Sequence, residues 1–180
     1  KFNEETSFAP LSPYGRSKSF AFWIVKYYRE IFKLNCCSGI LSNHESPLRP
    51  KKFLFYKIIN FVKKFNGKSK LYLGNINIER EWGWAPDYVN AIYKIYKKRS
   101  KDDYLVSTGR SYTIRTIIKE IFKYRNISTN YLVADCKKFL RPKEIKIVKC
   151  NVAKIKKDLN WKSNINLDKM LNKLMNNEYF

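Results

Sequence analysis

The chain has 180 residues, 44% of them hydrophobic and 16% aromatic, which suits one domain with a real core and is too apolar for a disordered chain. Its 37 Lys and Arg against 15 Asp and Glu give a net charge of +22, but they are scattered along nearly every segment, which reads as solvated surface rather than a nucleic-acid face. No apolar run approaches the ~18 residues of a membrane span, no secretory leader is recognisable, and the four Cys and one His lack zinc spacing, so reduced thiols in the cytoplasm are the expectation.

In chain order, residues 1–11 read as an irregular lead-in. Because the chain begins Lys1-Phe2-Asn3 without an initiator Met, an upstream segment is expected. Ser12 to Leu34 is a predicted helix whose stripe of Phe20, Trp23, Ile24, Tyr27, Tyr28 and Ile31 is expected to be core. Cys36 to Leu41 reads as a buried parallel strand, and helix followed by strand is half of a βαβ unit. Ser42 to Pro50 is a predicted loop, punctuated by Pro47 and Pro50. It lies where ligands bind in open α/β sheets, outside the carboxyl end of a strand. Phe53 to Phe65 is an amphipathic helix closed by Asn66-Gly67, Leu71 to Leu73 a strand, and Asn75 to Trp84 a polar-aromatic loop. A helix from Asp87 to Arg99 turns Tyr88, Ala91, Ile92 and Ile95 inward. A strand at Tyr104 to Ser107 follows, and Ser111-Tyr112-Thr113 introduces a helix to Tyr124. Asn126 to Asp135 holds a loop and a strand. Lys138 to Pro142 is a basic turn, Ile145 to Val148 a strand, and Val152–Leu159 and Leu167–Met175 are short helices.

The chemistry concentrates first at Ser12-Pro13-Tyr14-Gly15-Arg16-Ser17-Lys18. Tyr14 and Lys18 are four residues apart, hence on one helix face. Ser12 is a natural N-cap and Pro13 a natural first helical residue, which puts Tyr14 at the positive end of the helix dipole. A phenol has a pKa of about 10, and a nearby ammonium favours the phenolate. Such a Tyr takes a proton from a sugar or alcohol hydroxyl, while the lysine reaches ribose hydroxyls. The spacing alone is weak, since Tyr93 and Lys97 repeat it.

The Tyr14–Lys18 segment resembles the catalytic segment of the extended short-chain dehydrogenase/reductases, and later segments narrow the likeness. Gly39-Ile40-Leu41-Ser42-Asn43-His44-Glu45-Ser46-Pro47 resembles the G-I-L-F-N-H-E-S-P stretch of the GDP-mannose 4,6-dehydratase family, with Ser42 in place of Phe. Leu73-Gly74-Asn75, Arg80-Glu81-Trp82-Gly83 and Asp87-Tyr88-Val89 are similar to its L-G-N…R-D-W-G-H-A-K-D-Y-V. Ser107-Thr108-Gly109 with Ser111, Phe139 to Glu144 and Leu159-Asn160-Trp161-Lys162 are similar to its A-T-G…S-V-R, Y-F-R-P-x-E and L-G-W-K-P.

The resemblance implies the C-terminal half of an NAD(P)-binding Rossmann fold: residues 1–49 a remnant of the cofactor-binding domain, residues 50–180 mainly a small mixed α/β substrate-binding region with some elements returning to the sheet. It implies conversion of GDP-mannose to GDP-4-dehydro-6-deoxymannose and water on the route to GDP-fucose, with a held NADP reduced and reoxidised in one turnover. Tyr14 and Lys18 would be catalytic and touch the cofactor. His44 and Arg49 match cofactor-contacting positions, and Asn43, Lys57, Arg80 and Arg141 match positions near the substrate. A full-length form is expected to be a homodimer or homotetramer.

The departures are as specific. The G-x-x-G-x-x-G cofactor loop and the segment carrying the catalytic Thr and Glu are not in these residues, so the expectation is a C-terminal fragment inactive alone. Leu48 replaces the first Arg of a pair, Trp84 a His and Pro86 a Lys. Another nucleotide-sugar dehydratase or epimerase, a basic nucleic-acid-binding module and a non-catalytic fragment remain as alternatives.

Overall fold

The structure is a computed structural model that describes residues 1–141 and 143–179. Pro142 of the expected basic turn and Phe180, the last residue of the expected substrate region, lie outside the described residues. In chain order the elements are α1 (Pro13–Ile31), β1 (Gly39–Leu41), β2 (Asn43–Glu45), α2 (Leu54–Lys63), β3 (Leu71–Tyr72), β4 (Glu79–Trp84), α3 (Ala85–Lys98), β5 (Tyr104–Val106), β6 (Ser111–Thr113), α4 (Ile114–Lys123), β7 (Leu132–Val133), α5 (Ala153–Leu159) and α6 (Leu167–Asn176). Among the described residues, no helix is long and apolar enough to cross a membrane.

The architecture is α/β with parallel pairing, as expected. β1 lies parallel to β5, with Ile40 opposite Leu105. β2 lies parallel to β4, with His44 opposite Gly83, and β3 lies parallel to β7. β6 is antiparallel to β4 on its other side. Helices cover these strands because their apolar residues recur on one face. Phe55, Ile58 and Val62 of α2, Ile117, Ile118 and Ile121 of α4 and Met170, Leu171 and Leu174 of α6 meet Trp82 and Trp84 of β4 in one core cluster. Tyr88, Ala91 and Ile95 of α3, Tyr104 and Val106 of β5, Ile155 of α5 and Trp161 form a second.

Several expectations change. The expected loop Asn75–Trp84 contains β4, the middle strand of its sheet. Its Glu-Arg-Glu start hides the strand period, yet Glu81 to Trp84 are all buried because neighbouring donors satisfy the charge. The expected loop Ser42–Pro50 begins with β2. Ile145–Val148 forms only a bridge, Glu79 to Ile147, and Ile92 faces outward at 45% exposure. β1 is parallel but not buried: Leu41 is 39% exposed.

The largest correction is α1. Its start is as expected, with the Ser12 side chain accepting the Gly15 N–H at 3.0 Å and Pro13 inside the first turn. Its aromatic stripe is not core, however: Phe20 is 68% exposed and Ile31 60%. Among the described residues, the rings from outside α1 that meet that face are Phe8, edge-on to Trp23 at 6.4 Å between centroids, and Phe32, stacked on Tyr28 at 5.3 Å. α1 is tied to the body at its far end. Arg29 donates twice to Asp103, both at 2.8 Å, and Asp103 also accepts the Ser38 N–H at 2.6 Å. Burial would raise the Asp103 carboxyl, but the Arg29 and Ser38 hydrogen bonds hold it below its ordinary pKa.

Gly83 is dictated by packing. A Cβ there would run into the Tyr88 ring and hydroxyl and the Thr108 methyl. Gly83→Ala is therefore expected to destabilise the chain by about 1–3 kcal/mol, the cost of an overpacked core. Thermal denaturation reads this as a melting temperature lower by several degrees; an unchanged melt would mean that Tyr88 does not seat against β4.

Candidate active site

Tyr14 and Lys18 lie in the first and second turns of α1, as their spacing requires. Lys18 Nζ lies 5.8 Å from the centre of the Tyr14 ring. Both are exposed, Tyr14 at 73%. Among the described residues, no hydrogen bond, ion pair or ring contact joins either one to the other expected site residues.

Asn43, His44 and Arg49 belong to β2 and the segment after it. Asn43 Nδ2 donates to the Glu81 carbonyl at 3.3 Å. His44 Nδ1 lies 2.9 Å from the Ser42 carbonyl, an acceptor only, so Nδ1 carries the proton and Nε2 is left as an acceptor. The imidazole packs on Tyr88, 5.1 Å between ring centroids at 36°. The Arg49 guanidinium stacks on Phe53 at 3.8 Å. Its Nε is within ion-pair range of Glu45 Oε2, 3.4 Å, but both atoms are buried and out of hydrogen-bond alignment. Its terminal nitrogens make no hydrogen bond among the described residues. A guanidinium stacked flat with its fork unused suits a phosphate.

Arg80 and Arg141 converge. Arg80 on β4 donates to the Glu79 carbonyl at 2.9 Å, and one guanidinium nitrogen from each arginine lies 3.7 Å from Glu144 Oε1. Arg80 is largely buried, whereas Arg141 is 77% exposed. Lys57 on α2 donates to the Tyr72 carbonyl at 2.7 Å and stands 4.0 Å over the ring of Phe139. Burial pushes its ammonium pKa down. Two guanidinia thus share one carboxylate oxygen, an arrangement that gathers positive charge around a single anionic group.

The charged hub that ties the region together was not singled out from the sequence. Glu81, 1% exposed, accepts from Ser107 Oγ at 2.5 Å and Gly109 N at 2.7 Å on one oxygen, and from Cys150 N at 2.6 Å on the other. Ser107 continues to Ser42 Oγ at 2.6 Å, and Ser42 to the Tyr88 hydroxyl at 2.6 Å. The Asp-like position in the Arg80–Gly83 motif was the available signal. Its donors arrive from segments 26 to 69 residues away, which no local pattern reveals. The three departures sit easily. Trp84 is core, Pro86 falls in the first turn of α3, and Leu48 is 77% exposed. Two clefts, of about 380 Å³ beside Cys37 and Arg99 and 290 Å³ beside Arg115 and Leu132, lie away from all these residues.

Sequence comparison adds family relations to this geometry. The model of the family described as GDP-mannose 4,6 dehydratase matches residues 1–174. A GDP-mannose 4,6 dehydratase of Arabidopsis thaliana is 36% identical over 178 residues, 98% of this chain and 49% of the relative. The Homo sapiens protein of that name is 32% identical over 191 residues, 96% of this chain and 51% of the relative. The chain thus spans about half the length of the curated relatives it matches. Among solved structures, dTDP-glucose 4,6-dehydratase from Bacillus anthracis in complex with NAD superposes with a TM-score of 0.88 at 21% identity, covering 98% of this chain and 55% of that one. RMD from Pseudomonas aeruginosa complexed with NADPH gives 0.83 at 20% identity, covering 97% and 58%. At these identities the structural likeness establishes the fold.

Glu45 supplies a pH test of the site. Burial raises its carboxyl to about 7, only partly opposed by the Arg49 charge. The folded state thus favours the protonated acid. Its stability contribution is fully present below the ordinary carboxylate pKa of about 4.3 and is lost as pH rises through 7. Glu45→Gln is expected to flatten this dependence and to gain on the wild type by roughly 3 kcal/mol between pH 5 and pH 8. Denaturant melts at the two pH values check it; parallel pH dependence in both proteins would show that Glu45 is not held neutral.

Proposed function

We infer, because this chain belongs to the GDP-mannose 4,6-dehydratase family, that the whole protein converts GDP-mannose to GDP-4-dehydro-6-deoxymannose and water. The observation that carries the reading onto the site is the convergence of Arg80 and Arg141 on Glu144, a resting ion cluster that the phosphates of a GDP-sugar would displace. Lys57 adds a further basic group, and Asn43 on β2 holds its amide against the middle of β4. Arg49 and His44 fit the cofactor: the stacked guanidinium has its fork unused, and the imidazole has Nε2 available as an acceptor. NADP, when bound, supplies the hydride acceptor and donor of the reaction. Tyr14 takes the proton of the sugar 4-hydroxyl, and Lys18, one turn away, favours the phenolate and reaches ribose hydroxyls. Residues 1–49 act as part of the cofactor-binding region and 50–180 mainly as the substrate region. The pairing of β1 with β5 supports a return of later elements to the sheet. The whole protein acts as a homodimer or homotetramer.

Two measurements test this. The 180 residues hold no G-x-x-G-x-x-G loop, so the isolated chain is expected to turn over GDP-mannose negligibly. Robust turnover by it would refute the division of labour. In a protein that joins this chain to the rest of its family's length, Tyr14→Phe is expected to lower kcat about 10²–10⁴-fold. Wild-type turnover by that variant would remove Tyr14 from the chemistry. Preference for UDP- or dTDP-sugars over GDP-mannose would reassign the substrate.

A further inference from the structure

We propose that Glu81 is the positioning residue of this site, setting Asn43 and His44 through a buried line of hydroxyls formed by Ser107, Ser42 and Tyr88. The line is built of short hydrogen bonds. A carboxylate only accepts, so Ser107 gives its single proton to Glu81 Oε2 at 2.5 Å. Ser107 Oγ also lies 2.6 Å from Ser42 Oγ, the next hydroxyl of the line. Ser42 Oγ is in turn 2.6 Å from the Tyr88 hydroxyl, where either oxygen can donate. Burial pushes the Tyr88 phenol up to about 12, so its proton stays in place to complete the line.

The far end of the line is what the site feels. The Tyr88 ring is wedged against Gly83, where no side chain could fit, and carries the His44 imidazole on its face. The Ser42 carbonyl fixes the imidazole's tautomer and rotation. The Glu81 carbonyl holds the Asn43 amide. One residue thus orients both, by its side chain through three hydroxyls and by its backbone directly. Its other oxygen, on Cys150 N, and its bond to Gly109 N keep the carboxylate from turning. Ser42 stands where the Gly39–Pro47 run departs from the family pattern, so the line depends on a hydroxyl that the Phe there does not supply.

The ligand arm rests on the reading of Asn43 and His44 as ligand contacts; the structural arm does not. His44 is the single histidine of the chain, so its ring resonances form one unambiguous NMR reporter. Ser107→Ala cuts the line beside Glu81. It is expected to shift the His44 ring signals and to weaken GDP-mannose binding about tenfold in calorimetry, while Ser107→Thr, which restores the hydroxyl, returns both. Tyr88→Phe leaves the Glu81 donors and the ring in place. It is also expected to shift His44, which keeps the test decisive if Ser107→Ala fails to fold. His44 signals unchanged in Tyr88→Phe and Ser107→Ala, or unrescued by Ser107→Thr in a folded protein, overturn the proposal. Shifted and rescued His44 signals in a chain that binds no GDP-mannose uphold the positioning role and instead remove the ligand reading of Asn43 and His44.

Discussion

A carboxylate at 1% exposure has to be satisfied from within the protein, and the way Glu81 is satisfied organises the strands around it. Its donors come from the turn after β5 and from Cys150, and its backbone belongs to the middle strand of a sheet. Charge-assisted bonds of this length are among the stronger polar contacts a fold can make, and each is worth most where water is excluded. β4 is therefore more than an apolar strand. It presents indoles to the helical core, a carboxylate to the hydroxyl line, and a glycine that lets Tyr88 approach.

The basic residues of the site are held in the same spirit, each against a local counter-charge or ring. Arg80 and Arg141 rest on Glu144, Arg49 rests between Glu45 and Phe53, and Lys57 rests on a carbonyl and the Phe139 ring. Groups kept this way lose less conformational freedom when an anion replaces the resting partner.

α1 stands apart from this arrangement. Its far end is anchored by the double Arg29–Asp103 bond, backed by Ser38, while the ring contacts of its aromatic face among the described residues are with Phe8, Phe32 and one another. Tyr14 and Lys18 sit at the end of α1 farthest from that anchor.

Local patterning determined much by itself. The Ser12-Pro13 start of α1, the helices α2 to α6 and the parallel strands β1 and β5 follow from caps, periods of apolar residues and short β-branched runs, all of which are written within a few residues of where they act. The family was legible as well, because motifs such as Asn43-His44-Glu45-Ser46-Pro47 survive as contiguous words. Tertiary structure alone decided the rest. The strand identity of Glu79–Trp84 depended on donors up to 69 residues away that hydrogen-bond Glu81. The exposure of the α1 stripe depended on which layer packs on it, since an apolar period states which face wants burial and not whether anything is there to bury it. The Arg80–Arg141–Glu144 cluster and the Glu81–Ser107–Ser42–Tyr88 line join residues that share no local pattern, for a hydrogen bond is set by a distance in space and a sequence motif by a distance along the chain.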